Sequence, residues 1–215
     1  MYLNLLTKVV LVLCFLSSHL VLAQSKNDSI QNIEDSKTHS RHFNAEISGI
    51  LPFGIGDNFA SKGMTFRYGF DLNFKGYFDD HIFIGLKFQH LRAKVSETSL
   101  VGFFEHSNLN TYIVMAGYRF KINNNFNVEP YIGYGSTVYR NKKTSTTLET
   151  VDFFDEANTL IFAASLAYKF SDDFSLFMSP EYRTDFTKIK TAPQRQNFFD
   201  KAKFINVLVG FRIGY

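Results

Sequence analysis

The chain has 215 residues, a formal net charge of +3 and a mean hydropathy of −0.10, with 17% aromatic residues, among them 25 Phe and no Trp. That length, less an amino-terminal leader, suits one domain, and so small a charge gives no argument for a nucleic-acid partner. The single cysteine, Cys14, excludes a disulfide framework.

Met1 to Lys8 carries one positive charge and leads into the apolar run Val9 to Leu22, which ends Val21-Leu22-Ala23. This reads as a secretory signal peptide, residues 1–23, cleaved after Ala23. The run is shorter than the about 20 apolar residues a spanning helix needs. Bulky Leu13 before Cys14 and Phe15-Leu16 after it do not suit a lipoprotein anchor, so the mature chain has no cysteine and no thiolate metal site. Residues 24–41 are polar and without period, a flexible periplasmic lead-in. His39 and His42, beside Glu34 and Asp35, read as solvated tail histidines rather than metal ligands.

From His42 a period of two recurs, the signature of strands with one apolar and one polar face. His42 to Phe53 sets Phe43, Ala45, Ile47 and Leu51 against Asn44, Glu46 and Ser48; Met64 to Tyr77 sets Met64, Phe66, Phe70, Leu72 and Phe74 against Arg67, Asp71, Asn73 and Lys75. Phe78-Asp79-Asp80-His81 reverses the chain into Ile82 to Val95, whose Ile82, Ile84, Leu86 and Phe88 oppose Lys87 and Gln89, and whose end from His90 to Lys94 reads as polar on both faces. Asn110 to Lys121 opposes Tyr112, Val114, Tyr118 and Phe120 to Thr111, Ile113, Met115 and Arg119. Asn123-Asn124-Asn125 is a turn, asparagine tolerating left-handed conformations. Phe126 to Tyr139, Thr159 to Phe170, Phe174 to Phe186 and Lys203 to Tyr215 continue the pattern, placing Glu129, Lys169, Glu181, Arg183, Asp185 and Arg212 on the polar face. Pro130 and Pro180 fall inside two of these strands, where proline cannot donate to a ladder, but parity runs through both, so they read as local bends.

Eight strands joined alternately by short turns and longer polar segments predict an all-β fold, an eight-stranded antiparallel up-and-down transmembrane β-barrel over residues 42–215, with both termini periplasmic. A soluble eight-stranded barrel would carry its apolar face inside, and ring size decides against that. On the order of twenty rings, each burying roughly 150–250 Å², exceed an interior just wide enough for side chains or one small ligand. The last strand sets Ile205, Val207, Val209, Phe211, Ile213 and Tyr215 on one face and ends Phe211-Arg212-Ile213-Gly214-Tyr215. That ending, the strand count and the signal peptide resemble the OmpA/OmpX-like small outer-membrane β-barrel family. The resemblance implies insertion into the outer membrane, contact with its lipid and lipopolysaccharide, and Phe211 and Tyr215 as a signal read by the barrel assembly machinery. It implies a structural or adhesive role, and no cofactor.

The inward positions gather Glu46, Asp71, Glu129, Glu181 and Asp185 with Arg67, Lys75, Lys87, Arg119, Lys169, Arg183 and Arg212. Buried charges must pair or hold water, so these predict a lumen plugged by ion pairs, with Glu46 meeting Arg212 where the last strand closes on the first. Lipid A acyltransferases and deacylases use outer-leaflet Ser and His, for which His90, His106 and Ser107 are the candidates. No third group to orient them is recognisable, and a non-enzyme is expected.

The three longest loops each carry a Phe-Phe pair beside an acid: Phe103-Phe104-Glu105, Phe153-Phe154-Asp155 and Phe198-Phe199-Asp200. These predict a shared apolar patch at the tip for an extracellular or envelope partner, flanked by Lys188, Lys190 and Arg195. The alternative role is an accessory of envelope transport, as a narrow channel or a secretion-system partner.

Overall fold

The computed structural model describes residues 43–79, 81–144, 150–171 and 173–214. The predicted signal peptide, the predicted lead-in with His39, and His42 and Tyr215 lie outside the described residues. Eight strands follow one another: β1 (Phe43–Ile55), β2 (Met64–Tyr77), β3 (Ile82–Val95), β4 (His106–Tyr118, continued by Phe120–Lys121), β5 (Phe126–Thr144), β6 (Thr150–Lys169), β7 (Phe174–Thr187) and β8 (Lys201–Gly214). Each is antiparallel to the next, and β8 pairs with β1 to close the sheet.

The register traced once around, from Asn44 through Lys75, Gly85, Met115, Gly133, Ile161, Arg183 and Phe204, returns at Gly54, ten residues further along β1. Such a stagger tilts eight strands by roughly 35–45° and leaves an interior that side chains can fill. The closing seam needs a small residue: a Cβ on Gly210 would lie 2.1 Å from the Ile47 carbonyl oxygen.

Alternation sorts the side chains as expected. Along β1, Asn44, Glu46, Ser48 and Ile50 are buried while Phe43, Ile47, Leu51 and Phe53 are exposed. Near the periplasmic end rings meet in series on the outer face, Tyr168 with Phe126 and Phe170, then Phe170 with Phe174 and Phe174 with Phe211. Phe and Tyr thus fill the interfacial belt that Trp and Tyr usually share. Two turns below it are fixed by side chains that accept backbone N–H bonds, Asp79 from His81 and Ile82 at 2.7 Å each, Asn123 from Asn125 and Phe126 at 2.9 Å each. Those N–H donors hold the Asp79 carboxyl below its usual range. Both prolines keep register, Pro130 opposite Ala164 and Pro180 opposite Val207, and the β6–β7 ladder skips only from Ala163 to Leu166.

The outer half departs from the sequence reading in three ways. A register shift in β2 between Phe66 and Gly69 reverses parity, so Met64 and Phe66 face inward and Arg67 is exposed. The end of β3 is not polar on both faces, because Leu91 and Ala93 are fully buried. Finally, β5 and β6 are 19 and 20 residues long, about twice the 9–11 that cross a bilayer, so they form a hairpin that stands above the membrane.

Short helices fill the connections: α1 (Phe59–Gly63) after β1, α2 (Thr98–Val101) after β3, and α3 (Gln196–Phe199) before β8. Asn58 caps α1, its side chain accepting from Ala60 and Ser61 N–H while Ser61 reaches back to the Asn58 N–H. That cap sets Phe59 into the barrel mouth, stacked on Phe199 at 5.5 Å and tilted on Tyr139 at 5.9 Å. Ile50, Leu91, Leu109, Phe204 and Leu208 complete this apolar cluster, with Phe66 and Val101 packed against it.

Candidate functional site

Below the mouth the interior is a chain of charges held by six strands, β1, β2, β3, β5, β7 and β8, with Arg119 added from the break in β4. Nearest the periplasm, Glu129 accepts from Lys75 Nζ at 2.9 Å, Arg119 Nε at 2.7 Å, Arg212 Nη1 at 2.9 Å and Nη2 at 2.7 Å, and the Tyr77 hydroxyl at 3.1 Å. Glu46 accepts from Lys75 Nζ at 2.7 Å and from Arg212 Nε at 2.6 Å, its direct neighbour across the β1–β8 seam. The Lys75 ammonium also lies 5.0 Å from the Phe83 ring, and the Arg119 guanidinium 3.9 Å from Tyr77.

One level up, Lys87 Nζ pairs with Glu181 at 2.8 Å and Asp71 at 3.3 Å, while Gln89 and Asn206 donate to Glu181. Above that, Arg183 and Asp185, two apart on β7 and so on one face, pair through Nε and Nη2 at 2.8 and 2.7 Å. Asp185 also accepts from Thr159 and Tyr139. Asn73 donates to both Glu46 and Asp71, and Gln89 donates to Glu181 while accepting from Arg183, so the three levels are hydrogen-bonded into one. The five carboxylates face five cations, Lys75, Lys87, Arg119, Arg183 and Arg212, and all ten residues except Arg119 are buried.

Two predicted members lie elsewhere. Arg67 stands on the outer wall for the reason given, and Lys169 is half-buried at the last position of β6. The connecting amides and the phenols of Tyr77 and Tyr139 carried no charge to single them out, although parity places them inward.

The catalytic candidates do not assemble. His106 and Ser107 lie in β4 rather than a loop, and alternation sends them to opposite faces, Ser107 fully buried and His106 outward. His90 Nδ1 contacts the Asn110 side chain at 2.7 Å and its ring stacks on Phe70. The three Phe-Phe pairs also part company. Phe153 and Phe154 are in β6, not a loop, and Phe153 meets Phe104 at 5.6 Å. Phe198 and Phe199 are in α3, with Phe199 buried in the mouth.

A closed antiparallel barrel with lipid-facing rings outside and charges inside is an integral membrane β-barrel. Residues 29–212 match the outer membrane protein beta-barrel domain family, and the chain belongs to that family, which places it in the outer membrane. Among solved structures it is similar to Ail, the attachment invasion locus protein of Yersinia pestis, at 18% identity and a TM-score of 0.51 over 81% of this chain and 99% of Ail. Ail in complex with the heparin analogue sucrose octasulfate gives 17% identity and a TM-score of 0.51 over 81% and 99%. Neisserial surface protein A is 13% identical, with a TM-score of 0.49 over 80% of this chain and 97% of that one. No curated protein sequence matches.

Proposed function

We propose that the protein is a non-catalytic outer-membrane barrel, exported by its leader, whose closed lumen anchors an outer end that binds surface partners. The observation that carries this reading is the continuous network from Glu129 to Asp185, with carboxylates and cations in equal number and the mouth above it filled by Phe59, Phe199 and Phe204. An ion entering would have to break buried pairs that mutually satisfy one another, a costly step in a low dielectric. Purified protein in a planar bilayer is expected to give no steady single-channel current. Sustained, reproducible conductance steps would overturn the closed lumen.

The partner surface is read from the tip. Phe103, the most exposed of its rings at 75%, borders with Leu100, Val101, Arg195 and Phe199 a groove of about 580 Å³. Next to Phe103 in sequence, Phe104 meets Phe153 of the β5–β6 hairpin, while the neighbouring Phe154 is exposed beneath the Arg140 guanidinium at 5.9 Å. Clustered exposed rings of this kind mark interaction sites. Cells bearing Phe103→Ser, Phe153→Ser and Phe154→Ser together should keep a heat-modifiable barrel and lose adhesion to host or partner surfaces. Wild-type adhesion by correctly inserted mutants would remove the tip from the account.

A further inference from the structure

On β2 to β5 the lipid belt ends with Phe70, Phe88, Tyr112 and Tyr134, and the rows above it turn cationic. The register sets Arg92 opposite Asn108 and Asn108 opposite Arg140; one row higher Lys94 faces His106 and His106 faces Lys142. The bulge that takes Arg67 out of the lumen leaves Arg67 and Tyr68 together opposite Arg92. Four adjacent strands span roughly 14 Å at the usual strand spacing, so these cations share one compact outward patch.

We infer that this patch is a binding site for the phosphate groups of an outer-leaflet lipid, built chiefly from Arg67, Arg92, Lys94 and Lys142. Like charges on neighbouring strands destabilise one another, and the patch holds too few acids to offset them. Asp152, across from Lys142, is taken by the Arg140 guanidinium, and Glu105 stands exposed at the upper edge. Lys142 attracts the same Asp152 carboxylate without closing an ion pair on it, and Arg67, Arg92 and Lys94 form no ion pair with a carboxylate among the described residues. At the same height on the opposite wall, Lys201 and Lys203 of β8 lie across from Phe186 and Thr184, but there Lys201 sits over the Phe186 ring at 5.4 Å and the neighbouring Lys188 pairs with Glu156.

Height selects the ligand. A lipid whose chains lie on Phe70, Phe88, Tyr112 and Tyr134 brings its head group to these rows already ordered by the membrane, whereas a soluble polyanion would leave the rings unused. Guanidinium groups suit phosphate oxygens because they donate in a planar fork. The site lies on the wall, below the tip groove, and rests on the outer-membrane placement of the chain.

The test uses the full mature chain refolded into phosphatidylcholine nanodiscs doped with lipid A or with dephosphorylated lipid A. The glycolipid retained by the purified barrel is counted by mass spectrometry. Wild type should retain the phosphorylated form over the dephosphorylated one by at least about tenfold, and Arg67→Ser/Arg92→Ser/Lys94→Ser/Lys142→Ser should abolish that preference. Equal retention of both forms by wild type overturns the proposal without reference to any variant's folding. So does unchanged lipid retention by a variant that has lost binding to sucrose octasulfate, which would assign the cations to a soluble polyanion. Heat-modifiable migration of the wild type reports insertion separately, so a failure of membrane placement is not confused with a failure of lipid recognition.

Discussion

Arg212 and Arg67 both fall on the polar face when the sequence is read in twos, yet their environments are opposite. Arg212 is 3% exposed and donates to both Glu46 and Glu129, whereas Arg67 is exposed on the outer wall. Arg212→Ala leaves two carboxylates buried with fewer donors than they need, a loss expected to reach roughly 3–5 kcal/mol. Arg67→Ala removes an exposed side chain and should fall within about 0.5 kcal/mol. Urea unfolding in lipid vesicles, followed by tyrosine fluorescence, compares the two; equal losses would contradict the inward–outward assignment. Arg212→Lys keeps the charge but not the fork that spans Glu46 and Glu129, so it should lie between wild type and alanine.

The mouth depends on two elements that the period of two cannot reveal. At five and four residues, α1 and α3 are too short to show a helical repeat, and their anchors Phe59 and Phe199 are legible only once folded together. Asn58→Ala should cost about 1 kcal/mol through the lost cap. A double-mutant cycle on Phe59 and Phe199 should show roughly 0.5–1.5 kcal/mol of coupling beyond area burial. Coupling near zero in the same urea assay would mean that α1 and α3 pack independently. The strands were legible in unequal measure for related reasons. The limits of β2 and β3 follow from sequence because lipid outside and charge inside keep the two faces distinct. Above the membrane that contrast fades: Phe153 and Phe154 are adjacent and both exposed, so β6 reads as loop until its pairing with Arg140 and Asn141 is seen. The outward position of Arg67 is hidden for a third reason, since a single bulge reverses parity without any change in composition. The Glu46–Arg212 proximity, in contrast, was readable because both residues lie in strands whose alternation is unbroken to the seam.

For the molecule as a whole, the open matter is whether β8 acts only as wall or also as an address, and two aspartates on its lipid face can separate these roles. The outward series is Ile213, Phe211, Val209, Val207 and Ile205, with Phe211 in the periplasmic ring series against Phe174 and Val209 at the middle of the five. A charge on the lipid face costs about 2–4 kcal/mol at the midplane for a base, falls to about 0–1 kcal/mol near the interface, and costs less for an acid. On thermodynamic grounds alone Val209→Asp is therefore the worse change. If Phe211 belongs to the ending that the assembly machinery reads, Phe211→Asp should be the worse one in cells while remaining the milder one in unassisted refolding. Heat-modifiable protein in outer-membrane fractions measures the first, and folded yield in synthetic vesicles the second. The same rank order in both assays would reduce β8 to a strand like the other seven; a reversal between them would assign the recognition to Phe211 rather than to apolar character in general.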